Sequence, residues 1–431
     1  MEQNDQYFDH MNEAASSGAP RKERGAAGGI FVVGMILGVA ISLLIVGIVY
    51  VAFSFQKVSD KQQETVSFQE NSVITPESVK KLQALETTIN KYFFLDKADN
   101  ETLQEGLYKG LLSALDDPYT EYYSAEELEE LMQDTEGIYF GIGAYVGLDS
   151  LTSLPKISGV IGNSPAEEAD LRPNDLVYEV DGTSTYGLTL TEAVNLIRGP
   201  EGTQVELTIV REGAGDYLHV TLTRRKVETP TVEYEMLEDD MSLISVSEFD
   251  DVTVDQFADA LATVKGSGAK GIILDLRGNP GGSLSAVVSM CRMILPEGLI
   301  VYTEDKSGKR SEYTCDGSRK LTLPLVVLVD MNSASAAEIM AGAIQDHGLG
   351  TLVGTTTFGK GIVQQIVPFK DGSAVKITIS AYFTPSGKNI HGIGIVPDVE
   401  CEFDGEAYYG SENHPDNQLE KAKEVLREKI K

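Results

Sequence analysis

The chain has 431 residues, 42 % of them apolar and 23 % charged, and a formal net charge of −31. The length exceeds one ordinary core, so two or more domains are expected, and the composition is that of a folded protein. So acidic a chain repels phosphate backbones, which excludes nucleic acid as a partner.

Residues 1–29 read as a polar cytoplasmic tail. Residues 30–53, "IFVVGMILGVAISLLIVGIVYVAF", carry no charge. At about 1.5 Å per residue they reach roughly 36 Å, enough to cross a bilayer as one helix. The stretch is longer than the apolar part of a cleaved signal peptide, so an uncleaved single-pass anchor is expected. Arg21, Lys22 and Arg24 precede it, which places the N-terminus in the cytoplasm and the rest outside. Residues 54–72 read as a linker. Residues 73–133 have helical spacing, broken at Asp117-Pro118 and restarted at Ser124 by a capping box.

Residues 134–226 read as short strands with one helix near Thr191–Ile197. From about Val227 strands and helices alternate to residue 401, which predicts an α/β layer with strands covered on both faces. Residues 402–431 end in a charged helix. Its stripe of Leu419, Ala422 and Leu426 fits either the core or a second subunit. Cys291, Cys315 and Cys401 are too few for a disulfide framework, although a Cys315–Cys401 bridge is conceivable. No metal-ligand cluster and no cofactor motif is found.

"GTTTFGKG", residues 354–361, resembles a phosphate-binding loop. Such a loop needs a helix leading out and a Ser or Thr after the lysine. Here Gly361 follows, and then the alternating "IVQQIVPF" of a strand, turned at Asp371-Gly372 into a hairpin. The helix dipole that would hold phosphate is missing.

A second reading of Lys360 begins at "VDMNSASAAEIMAGAIQDHG". A buried strand ends near Asp330 and a helix begins near Ser335, with Ala336, Ile339, Met340, Ala343 and Ile344 on its inner face. A serine at a helix N-terminus can attack a carbonyl while free backbone amides hold the oxyanion. It can also be a plain helix cap, as can Ser333. The glycine loop "LRGNPGGS" allows a close backbone approach beside it.

Six stretches in order, "LDDPYTEYY", "YFGIGA", "LDLRGNPGG", "NSASAAE", "TFGKGIVQ" and "YFTPSGKNIHGIGIVPD", resemble the carboxyl-terminal processing peptidases, or tail-specific proteases. The resemblance runs from about residue 73 to the C-terminus. It implies an α/β crotonase/ClpP-like layered protease core with an inserted PDZ β-sandwich. It also implies Ser335 as nucleophile, Lys360 as general base, Gln364 orienting the amine, and the Gly281 and Ala336 amides as oxyanion hole. In the PDZ segment it implies that Tyr139, Phe140, Gly141 and Ile142 receive a C-terminal carboxylate, with Arg198 at the domain border. Asp170 and Asn174 depart from the PDZ pattern, which has glycine there. Glu338 and Asp275 fall near the implied site without a catalytic role.

The expected function is therefore a membrane-anchored extracytoplasmic serine endopeptidase acting on apolar C-terminal tails, with homodimerisation through terminal helices. Burial of Lys360 beside Phe358 and Ile362 would lower its pKa and free its amine as a base. A Ser–His–Asp triad is the rival mechanism, with His391 as its only realistic base. A non-catalytic membrane-tethered PDZ adaptor is the alternative function. An acyl-transfer or hydratase enzyme would require a coenzyme site.

Overall fold

The computed structural model describes residues 72–96 and 98–431. The expected anchor at residues 30–53 lies outside them. Among the described residues no helix is long and apolar enough to cross a membrane. The chain divides into two compact units, one ending at Lys97 and one spanning Ala98–Lys431. The described part of the first contains helix α1, Pro76–Tyr92, capped by a reciprocal Thr75–Ser78 pair and opened by proline, the residue with φ preset for a first turn.

The second unit begins with α2 (Asn100–Ser113), the short strand β1 (Glu121–Tyr123) and α3 (Ala125–Glu136). Ser124 and Glu127 form the expected capping box, and Gly137 ends α3 in the left-handed conformation at φ 68°. Strands β2 (Ile138–Gly141) and β3 (Ala144–Leu148) follow, then β4 (Pro155–Val160), α4 (Pro165–Glu168), β5 (Leu176–Val180) and β6 (Thr183–Ser184). Helix α5 (Leu190–Ile197) and strands β7 (Gln204–Val210), β8 (Leu218–Thr223) and β9 (Arg225–Glu228) complete this part. Strands β3, β4, β5, β7 and β8 make one sheet around Ile157, Val177, Val205 and Leu207. Strand β3 is its edge. The entering and leaving strands, β2 and β9, pair antiparallel, so the inserted domain hangs from a two-stranded neck. Asp170 and Asn174 sit at φ 57° and 74°. They occupy the left-handed turns that glycine would otherwise serve, which short polar side chains tolerate.

The layer beyond the neck contains β10 (Val232–Met236), β11 (Met241–Val246), α6 (Asp251–Gly266), β12 (Gly271–Asp275) and α7 (Leu284–Cys291). A hairpin, β13 (Glu297–Asp305) and β14 (Arg310–Asp316), comes next, then β15 (Leu325–Val329), α8 (Ala336–Asp346) and β16 (Gly350–Gly354). The chain ends with β17 (Ile362–Pro368), β18 (Ala374–Phe383), β19 (Val399–Glu400), α9 (Gly405–Tyr409) and α10 (Asn417–Ile430). One sheet runs β10-β11-β12-β15-β16-β19, parallel except for β10. Its two faces are covered, as the unbroken apolar strands require. Helices α6, α7 and α8 pack on one face, and α10 packs on the other. Ala422 and Leu426 are fully buried against Met241, Ile273 and Val326. The α10 stripe thus belongs to the core, not to a second subunit. A second sheet, antiparallel, joins β1, β18, β13 and β14, with β17 on β18.

Cys291, Cys315 and Cys401 are free thiols, the first two buried. The Cys315–Cys401 bridge is therefore absent: one side chain lies in the main core and the other beside α10.

Candidate active site

Buried β15 delivers the chain to a loop, Asp330–Ala334, that is pinned before α8 starts. Ser333 Oγ donates to the Leu276 carbonyl at 2.8 Å, and the Ala334 N–H donates to the Asn279 carbonyl at 2.9 Å. Ser333 is thus a structural tie. Ser335 is different. It stands at the N-cap of α8 with φ 54° and ψ −112° and makes no side-chain cap hydrogen bond. A non-glycine residue in that region carries about 1–3 kcal/mol of strain. Its hydroxyl lies beside the Ala336 N–H at the helix start, whereas the Ala337 N–H donates to the Ala334 carbonyl at 3.0 Å.

The glycine loop lies directly against it. A Cβ on Gly281, which has φ 108°, would come 2.7 Å from Ser335 Cβ and 3.0 Å from the Ala336 nitrogen. Only glycine permits that approach. The Gly281 N–H donates to Asn279 Oδ1 at 2.8 Å, and Asn279, fully buried, also donates to the Val246 carbonyl. Of the two expected oxyanion donors, Ala336 sits at the first position of the helix, whereas Gly281 is engaged by Asn279 in this conformation.

Glu338 joins Ser335 to the lysine loop. It is fully buried. Its Oε2 accepts from the N–H groups of Ser335 (2.9 Å) and Lys360 (2.8 Å). Its Oε1 accepts from Thr357 Oγ1 (2.6 Å) and the Gly359 N–H (2.7 Å). Tyr382 adds a fifth tie, its hydroxyl donating to the Ser335 carbonyl at 3.0 Å. Glutamate three residues after a cap serine is a capping-box signature, so the motif "SAAE" carried a signal for this contact.

Lys360 and Ser335 line one cavity of about 720 Å³, with Ile339, Ile362, Gln364 and Tyr382 around them. The Lys360 ammonium lies 4.3 Å over the Tyr119 ring. It makes no hydrogen bond to Ser335 or Gln364 here. Burial, and secondly the charge of Lys376, lower its pKa, while Asp117, Glu121 and Glu338 pull the other way. Phe358 does not do the burying, being 56 % exposed. Tyr119, from the "DDPYT" turn, was not anticipated. Gln364 donates to Thr378 Oγ1 at 3.1 Å, and β17 has a bulge between Val363 and Gln364. Lys360 precedes the strand and the bulge breaks its alternation of faces, so sequence spacing alone does not place the Lys360 and Gln364 side chains together. They meet at the cavity because the loop 357–361 enters it. After Gly361 a strand follows and no helix, so the lysine loop lacks a phosphate-binding frame. His391 is exposed, its backbone packed by Gly361. Asp275 is spent on Arg277, which also pairs with Asp416 at 2.8 Å.

The second groove, about 270 Å³, lies between edge strand β3 and α5, lined by Ile142, Val146, Val194 and Ile197. Arg198 caps α5 with its guanidinium 5.6 Å from the Tyr139 ring centre. Burial pushes the Tyr139 phenol up to about 12. Phe140 is 38 % exposed at the mouth of the loop. Asp134, Tyr139 and Thr229 line both this groove and the Ser335 cavity, so the two meet at one wall.

With this geometry in place, comparison with known proteins decides the family. A "Peptidase family S41" profile matches residues 240–401, a "PDZ domain" profile matches 156–211, and an "Activating protease CtpB N-terminal domain" profile matches 42–127. The carboxyl-terminal-processing protease of Synechocystis sp. is 38 % identical over 298 residues, covering 68 % of this chain and 69 % of that protein. The chain belongs to peptidase family S41. This family comprises the carboxy-terminal processing serine peptidases. The Bacillus subtilis carboxy-terminal processing protease CtpA is 38 % identical over 311 residues, covering 72 % of this chain and 66 % of its own length. Among solved structures, a photosystem II D1 C-terminal processing protease is similar over 76 % of this chain and 94 % of its own, with 29 % identity and a TM-score of 0.45. As an S41 peptidase with a PDZ domain, the chain pairs the β3–α5 groove with the Ser335 cavity.

Proposed function

We propose that this S41 member is a membrane-anchored, extracytoplasmic endopeptidase with a crotonase-like layered core, holding C-terminal tails in its PDZ groove and cutting with a Ser335–Lys360 dyad. The supporting observation is the buried Glu338 carboxylate, which binds the backbones of both residues at once. The uncharged stretch 30–53 supports the anchor.

The chemistry runs as follows. Lys360 leaves Tyr119, and its neutral amine takes the Ser335 hydroxyl proton as Oγ attacks the scissile carbonyl. The oxyanion is held by the Ala336 N–H and by the Gly281 N–H once Asn279 releases it. The lysine ammonium returns its proton to the leaving amine. Water, deprotonated by the same lysine, then cleaves the acyl-serine ester. A tail adds as a strand to the free edge of β3, with its carboxylate on the loop Tyr139–Ile142.

The test uses a peptide with a free apolar C-terminus and the same peptide amidated. Wild type cleaves the first. Amidation lowers kcat/KM by about 10–100-fold, the worth of a charge-assisted contact. Ser335→Ala cleaves neither. Equal cleavage of both peptides would remove the tail-binding role, and cleavage by Ser335→Ala would remove the nucleophile.

The lowered Lys360 pKa sets the pH dependence. The amine must be neutral to act, so kcat/KM climbs with pH through that pKa. Lys376 contributes to the lowering, and it also neutralises Glu121 at 2.8 Å. In Lys376→Met the repulsion is lost and Glu121 is left uncompensated. Both effects favour the ammonium. The ascending limb of the pH–rate profile is therefore expected to move to higher pH, by about 1 unit, with activity at pH 7 falling up to about tenfold.

A further inference from the structure

The Ser335 cavity is also lined by three carboxylates that the dyad does not use: Asp134, Glu248 and Asp250. Asp250 is 5 % exposed and caps α6, yet its carboxylate makes no side-chain cap hydrogen bond. Among the described residues no Lys, Arg or His forms an ion pair with any of the three. An aspartate so buried and without a counter-charge is costly unless something else supplies one. Burial first, then the charges of Glu248, Asp134 and Asp251, push Asp250 up to about 7.

The wall is close to the chemistry. The Phe249 N–H donates to the Gly281 carbonyl at 2.8 Å, and the Phe249 carbonyl accepts from Ser283 at 2.7 Å. Phe249 is fully buried. Its extended neighbours Glu248 and Asp250 therefore share the opposite, cavity-facing side. They flank the loop that touches Ser335. Asp134 reaches them from the end of α3, whose cap Gly137 packs on Asp250. Asp250 forms the floor, while the exposed Glu248 and Asp134 stand at the mouth.

No three acidic groups among the described residues are arranged to hold a metal ion. The missing counter-charge must instead span separated carboxylates, which a long cationic side chain does. Lys and Arg have an apolar stem for the wall and a charged head for its floor. Asp134 also lines the PDZ groove, so the wall borders that groove at one end and belongs to the Ser335 cavity along the rest. We infer that Asp134, Glu248 and Asp250 form a subsite for a lysine or arginine side chain located C-terminal to the scissile bond of the substrate tail. The inference rests on the proposed peptidase function and on a tail occupying both sites together.

The test measures binding and cleavage separately. Full-length Ser335→Ala protein in detergent is titrated by fluorescence anisotropy with apolar-tailed peptides. Each carries one Lys, or norleucine as its uncharged counterpart, scanned through the tail positions. At one position C-terminal to the bond that wild type cuts, Lys is expected to tighten binding about tenfold over norleucine. Adding Glu248→Gln or Asp250→Asn to Ser335→Ala should bring that ratio within about twofold. Asparagine is itself a good helix cap, and Glu248→Gln covers the case in which Asp250→Asn fails to fold. Equal binding of Lys and norleucine at every position, or a ratio that survives both substitutions, overturns the subsite. A Lys preference at one position, lost in Glu248→Gln or Asp250→Asn but without cleavage by wild type, would sink the peptidase and leave only the cation-binding wall standing. Cleavage without any Lys preference would do the reverse.

Discussion

Lys360→Ala is expected to lower peptide cleavage by at least about 10³-fold, while His391→Ala stays within a few-fold of wild type. Removing a general base leaves the nucleophile with a poor proton acceptor, and water is far weaker than a held amine. Lys360→Arg separates the base from its charge. It keeps a cation in the cavity, but a guanidinium does not give up its proton near neutral pH, so it should be as inactive as the alanine variant. Lys360→Met keeps the stem and should fold with little change in stability. A lysine whose folded pKa lies below its unfolded value binds fewer protons when folded. Below that folded pKa its charge costs stability, and the cost disappears as pH rises through the window up to the unfolded value. Removing the charge at pH 7 therefore does not weaken the fold. His391 has no share in the cavity, and its own N–H is held by Asn389 Oδ1 at 2.7 Å. Full activity in Lys360→Ala, measured as kcat/KM on an apolar-tailed peptide, would end the dyad proposal.

The parts legible in the sequence are those carried by short-range signals. Ser124 with Glu127 gave the start of α3, and Asp371-Gly372 gave the β17–β18 hairpin. The strand–helix alternation from Val227 gave the covered α/β layer, whose strands include the apolar runs of β12 and β15. The stripe Leu419, Ala422 and Leu426 was readable, but not which surface it covers, because the periodicity of a face does not name its partner. The hairpin β13–β14 went unread, since its strands mix charged and apolar residues at a solvated face. At the candidate site, residue types and order singled out Ser335 and Lys360, which line one cavity. The Tyr119–Lys360 contact was hidden because it joins positions that are distant in sequence. The bulge at Val363/Gln364 was hidden because no residue type marks it. Glu338 stands at capping-box spacing from Ser335, but the sequence placed it only near the site, without a role. Its reach to Thr357, Gly359 and Lys360 depends on how α8 packs against the lysine loop, which only the fold supplies.

That reach makes Glu338→Gln far from conservative. Each carboxylate oxygen accepts two donors, and an amide has one oxygen. With the Gln oxygen toward Ser335 and Lys360, its NH₂ faces the Gly359 N–H and leaves that donor orphaned. With the amide flipped, the Ser335 and Lys360 N–H groups lose their acceptor. Thr357 offers no escape, because its hydroxyl already accepts from the Ile395 N–H at 2.7 Å. An orphaned buried donor costs about 1–3 kcal/mol. Glu338→Gln is thus expected to lose roughly 2 kcal/mol of stability, and Glu338→Ala, which strands all four donors, about 3–5 kcal/mol. Activity should fall further than stability explains, by about 10²-fold in the folded glutamine variant, because a misplacement of about 1 Å at the nucleophile is enough for that. One readout distinguishes positioning from mere scaffolding. The Glu338 charge raises the Lys360 pKa, so its loss should shift the ascending pH–rate limb of the residual activity to lower pH. That is opposite to Lys376→Met. A Glu338→Gln enzyme with unchanged kcat and an unmoved limb would show that the two backbones hold their places without the carboxylate.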